Sequence, residues 1–108
     1  MTDINLALVM PPTVPWEKDA NFKAAERVLR KVADLGADLA VLYEGFLEGW
    51  VVNEPDATPE RFRQVAEPED GFYVEAFRSL ASELSMHIVL GFAELAEGHV
   101  FNSAVLIG

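Results

Sequence analysis

A chain of 108 residues fits one domain with room for a single core. Its formal net charge of −10, from 18 acids against 8 bases spread without a tail, repels phosphate backbones and anionic lipid and so argues against nucleic acid and membranes as partners. The absence of cysteine excludes disulfides, thiolate zinc sites and a cysteine nucleophile within these residues.

Apolar content of 51% and charged content of 24% are ordinary for a folded soluble domain. Met1 to Ile4 lacks the basic and apolar regions of a signal peptide, and no apolar run approaches the ~20 residues that span a bilayer. The expected compartment is the cytoplasm.

Ile4 to Met10 (INLALVM) is a near-continuous apolar run, which predicts a strand covered on both faces. Pro11, Pro12 and Pro15 then make a stiff loop. A helix capped by Asp19 or a neighbour runs to about Leu35, with Phe22, Ala25, Leu29 and Val32 on its apolar face and Gly36 as its terminator. Leu39 to Tyr43 reads as a second strand, completing a βαβ unit. That strand delivers Glu44 to its C-terminal end, ahead of Gly45, Phe46, Glu48, Gly49 and Trp50.

Residues 53–70 are polar and proline-rich, and Thr58-Pro59 predicts a short helix from Pro59 to about Val65 within a loop lying over the strand ends. A further amphipathic helix runs from about Gly71 to Leu84, with Glu69 and Asp70 at its positive end. Met86 to Phe92 is a third strand, continued by Ala93 to Ala96. Glu97-Gly98 turns it into a fourth over Val100 to Ile107. The order β-α-β-α-β-β is that of an α/β domain.

A phosphate-binding turn after the first strand is excluded, because that turn has prolines where glycines and free amides are needed. His87 and His99 have no second ligand at helical spacing, so neither a metal nor a cofactor is expected; His87 reads as a packed or hydrogen-bonded strand residue and His99 as solvated. Ligands of α/β proteins bind beyond the carboxyl ends of the strands. That places Glu44 first among the candidate functional acids and Glu94, which ends a strand in the same way, second. Glu48, with no strand aiming it, ranks below both. Phe46, Trp50 and Phe92 read as core.

The stretches LALVM, Asn21-Phe22, GADLAVLYEGFLEGW (Gly36 to Trp50), IVLGFAE and FNSAVLIG, in that order, together resemble the carbon–nitrogen hydrolase (nitrilase/amidase) superfamily. The resemblance covers nearly the whole chain but only about the first third of a family member. It implies the N-terminal part of a four-layer αββα sandwich and hydrolysis of non-peptide C–N bonds in small amides, carbamoyl compounds or nitriles. The family works through a glutamate, a lysine and a cysteine, of which only the glutamate maps here, as Glu44. Tyr43 stands where the family usually has proline. Lys18, Lys23 and Lys31 do not correspond by position to the family's lysine.

The expectation is therefore a single partial hydrolase domain, inactive by itself for want of two catalytic partners. A rival expectation is a non-catalytic binding or assembly module. A sheet face left without its second layer would be apolar, and such a patch favours a homo-oligomer.

Overall fold

β1, Leu6–Val9, pairs in parallel with β2, Leu39–Leu42, in a computed structural model that describes residues 3–108. Between them runs α1, Lys18–Asp34. Its N-terminal boundary is Glu17, which makes no side-chain cap, and Asp19 lies inside the first turn paired with Lys23. Of the expected Asp19 or a neighbour, the boundary thus falls on the neighbour, without the side-chain bond of a cap. Gly36 takes φ +93° just past the helix end and donates its N–H to Ala33 at 3.0 Å, as a C-terminal glycine should.

The chain then passes through α2, Pro59–Val65, and α3, Phe72–Leu84, before β3, His87–Ala96, and β4, His99–Ile107. The Thr58 side chain accepts the Arg61 N–H at 3.1 Å and Pro59 opens α2, so the expected cap and first position are both realised. Glu97 and Gly98 both carry positive φ, the twist a two-residue hairpin needs.

The sheet order is β1-β2-β3-β4, with the first three strands parallel and the fourth antiparallel. Successive crossovers of one hand that step in one direction place their helices on one face. Accordingly α1 and α3 pack side by side, with Phe22 edge-on to Phe77 at 4.9 Å. Val9, Ala40, Leu42, Ile88, Leu90, Phe92 and Ile107 point to that side and form the core with Leu29, Val74, Phe77 and Leu80. Each large side chain buried there stabilises the fold by roughly 1.5–3 kcal/mol.

The other face carries an apolar row across all four strands, Leu8, Val41, Val89 and Leu106, aligned by the strand registers. Leu8 is 74% exposed, and Leu6, Met10 and Leu106 are exposed as well. This corrects the expectation that β1 is covered on both faces. Among the described residues α1 and α3 pack together on one side, so continuous apolarity in β1 marks a strand whose second face has no cover here. No helix among the described residues is long and apolar enough to cross a membrane.

Candidate active site

β2 ends at Leu42, and the chain turns sharply through Tyr43 to Trp50. Phe46 donates its N–H to the Tyr43 carbonyl at 3.2 Å and Trp50 to the Gly45 carbonyl at 2.8 Å, which closes the turn on itself. Phe46 and Leu47 are buried and anchor it in the core. Two glycines make room. Gly91 on β3 lies under the turn, where a Cβ would sit 2.5 Å from the Tyr43 carbonyl oxygen and 3.0 Å from the Glu44 Cα. Gly49 has φ +96°, and a Cβ there would meet the Val14 carbonyl oxygen at 2.6 Å.

The proline loop buttresses the turn from the other side. Buried Asn21 on α1 accepts the Val14 N–H at 2.7 Å and donates to the Val14 and Leu47 carbonyls, both at 3.0 Å. Trp16 donates its N–H to the Glu48 carbonyl at 2.8 Å. The Tyr43 hydroxyl donates to the Pro11 carbonyl at 3.1 Å and lies 3.2 Å from the Thr13 hydroxyl. A tyrosine at that position therefore ties the proline loop to the strand end.

Glu44 emerges exposed from this turn on the face opposite α1 and α3, where its carboxylate accepts from the Asn102 side-chain amide. A cleft of about 520 Å³ opens beside it. Glu44, Glu48, Trp50, Phe62, Arg63 and Phe101 are among its lining residues. Trp50 belongs to this cleft rather than to the core as expected, and it is held there with φ +54°. α2 forms one wall, so the proline-rich stretch does lie over the strand ends. Trp16 meets Phe62 edge-on at 5.5 Å and donates its ring N–H to Asp56 at 3.1 Å.

Glu48, ranked last by sequence, is the most deeply placed acid of the cleft. It is 6% exposed, and its Oε1 accepts the Ala93 N–H at 2.9 Å. β2 pairs with β3 only as far as Val89, so the rest of that edge must find other partners. Leu47 donates to the Gly91 carbonyl at 3.2 Å, and Glu67 donates to the Ala93 carbonyl and accepts from Leu95, both at 3.0 Å. The Glu48 carboxylate takes the one remaining donor between them.

Burial pushes the Glu48 carboxyl above the ordinary glutamate value, while the Ala93 and Glu48 backbone N–H groups and the charge of Lys18 pull it back. A carboxyl that holds its proton more tightly in the folded state than in the unfolded one stabilises the fold most when protonated. That contribution is complete below the ordinary value of 4.5 and is lost as pH rises through the folded value. Glu48→Gln removes the ionisation and should therefore gain stability relative to the native chain between about pH 4 and about pH 7. Urea midpoints at the two pH values measure the change, and a difference that is constant or of opposite sign refutes it.

The other sequence candidates fall elsewhere. Glu94 lies on the helix side in alternation with Phe92 and accepts from the Ser103 hydroxyl at 2.7 Å, so it does not join Glu44. His87 is exposed at the start of β3 rather than packed, because it occupies the open face. His99 is exposed at the cleft rim. Lys18 pairs with buried Glu67 at 3.1 Å. Glu69 and Asp70 lie just ahead of α3 as expected, and Glu67 bonds its N-terminus by accepting the Tyr73 and Val74 N–H groups at 2.7 and 2.8 Å. Among the described residues no three His, Asp or Glu side chains converge as metal ligands.

The family model for carbon–nitrogen hydrolase matches residues 5–108. A deaminated glutathione amidase from Bos taurus is 32% identical over 90 residues, covering 83% of this chain and 26% of its own length. A nitrilase from Pyrococcus abyssi is 29% identical over 92 residues, covering 85% and 34%. The chain thus spans about a quarter to a third of the curated relatives it matches. A carbon–nitrogen hydrolase superfamily protein from Xanthomonas campestris superposes with TM-score 0.79 at 25% identity, over 99% of this chain and 37% of that one. An amidase from Neterenkonia sp. AN1 superposes at 0.71 with 16% identity, over 96% and 39%, a likeness of fold. With Glu44 at the end of β2 and a family match across nearly every described residue, the chain belongs to the carbon–nitrogen hydrolase family.

Proposed function

We propose that this chain supplies the general base, Glu44, of a hydrolase acting on small amides, carbamoyl compounds or nitriles. The observation that carries the reading is Glu44 itself, brought by β2 to the mouth of the cleft and held by Asn102. In this reading a cysteine outside these residues gives its thiol proton to Glu44. The thiolate then attacks the carbonyl or nitrile carbon, and a lysine, also outside them, stabilises the developing charge. For an amide, the C–N bond breaks as Glu44 returns the proton to the leaving nitrogen. Water, deprotonated by Glu44, hydrolyses the thioester and restores the thiol. An ammonia-release assay over a panel of amides and nitriles should show no turnover by the 108 residues alone, because a base without its nucleophile leaves the unit incomplete. Robust turnover by them would overturn the assignment of roles.

A second reading, an assembly module, is favoured by the open sheet face, where exposed Leu6, Leu8 and Met10 on β1 are linked to exposed Leu106 on β4 through half-buried Val41 and Val89. Two copies would cover this surface by stacking sheet on sheet at about 10 Å. Sedimentation equilibrium on the isolated chain should then give a dimer or larger species, and Leu8→Lys should return it to monomer. A stable native monomer at high concentration excludes this reading.

A further inference from the structure

We propose that Glu48 is a positioning residue for Glu44, holding the Tyr43–Trp50 turn on the β3–β4 hairpin so that the base meets Asn102 at the cleft mouth. The proposal rests on the reading of Glu44 as base only for its catalytic consequence.

Ala93 and Asn102 face one another in the β3–β4 register. One of the pair donates through its backbone to Glu48, the other through its side chain to Glu44. The hairpin therefore grips a single turn at two carboxylates four positions apart. A carboxylate suits position 48 for a physical reason. Beyond the last residue paired with β2, the Ala93 N–H is a buried edge donor with no strand opposite, and leaving such a group unpaired costs about 1–3 kcal/mol. A leucine of similar size would pack there but orphan the donor. An aspartate, one methylene shorter, reaches it only by pulling the turn toward β3. The Trp16 N–H on the Glu48 carbonyl and the Leu47 N–H on the Gly91 carbonyl resist that movement. The strain would fall on the free end of the turn, at Glu44.

The test uses the ¹⁵N-labelled chain, with the Asn102 side-chain NH₂ resonances reporting the contact to Glu44. Glu44→Ala defines their position when the contact is lost. Glu48→Asp should carry the resonances most of the way to that position, and Glu48→Ala as well. Glu48→Gln, whose carbonyl oxygen still accepts from Ala93, should leave them near their native place. Val65→Ala, buried on α2 and party to neither of these bonds, should lower stability without moving them. Should Glu48→Ala fail to fold, the aspartate and glutamine variants decide the matter between them. Native resonances in Glu48→Asp, equal displacement by Glu48→Gln, or equal displacement by Val65→Ala would each overturn the proposal. None of these readouts depends on turnover, so failure of Glu44 as base would show separately, in the activity of its own variant.

Discussion

On the role proposed for Glu44, Glu44→Gln in a protein that joins these residues to the proposed cysteine and lysine should lower turnover by about 10²–10⁴-fold, the usual worth of a general base. That corresponds to roughly 3–5 kcal/mol of lost transition-state stabilisation. Glutamine is close to isosteric and keeps an oxygen to accept from Asn102, so the turn should hold its shape while the side chain loses its basicity. The loss should therefore appear in kcat, with KM little changed. Glu94→Gln is the matched control. Glu94 also ends a strand, but it lies on the helix side against Ser103, and its variant should retain near-native turnover. Equal losses in the two variants would refute Glu44 as the base.

Asn21→Ala should be the most damaging single change to stability within the site's support, at about 3 kcal/mol. Asn21 is fully buried and spends one acceptor and two donor bonds on the backbone of Val14 and Leu47. Alanine fills part of the volume and leaves the buried Leu47 carbonyl without a donor, a cost of about 1–3 kcal/mol before the two Val14 groups are considered. Against a total stability of roughly 5–15 kcal/mol this is a large fraction. With a urea dependence of about 1–3 kcal/mol per molar, the midpoint should fall by about 1–3 M. A shift below about 0.5 M would mean that water replaces the amide at little cost. Asn21→Asp should not rescue, because it keeps the acceptor but loses both donors and buries a charge.

Much of the architecture was legible in the sequence because its signals are local. Thr58-Pro59 starts α2 through a side chain that accepts an N–H three residues on and a ring that fixes φ. Gly36 and Glu97-Gly98 mark turns through the conformations their own backbones adopt. Glu44 stood out because an apolar strand ended on it, and the order of short motifs around it resembled one family.

What the sequence misjudged depends on pairs distant along the chain. Glu48 looked like a loop acid. Only the early end of β2 against a long β3 leaves the Ala93 donor, 45 residues away, for it to satisfy. Glu67 looked like one more charge in a polar stretch, yet it caps α3 and binds Lys18 at once. Asn102 matched a motif without a visible task, since its contact to Glu44 spans 58 residues and follows from which face of β4 it occupies. By itself, then, the sequence determined the elements, their order and the acid at the end of β2, because hydrophobic period and turn chemistry are written residue by residue. Tertiary structure alone decided which side chains hold that acid in place, because a strand's register and overhang exist only once the strands have met.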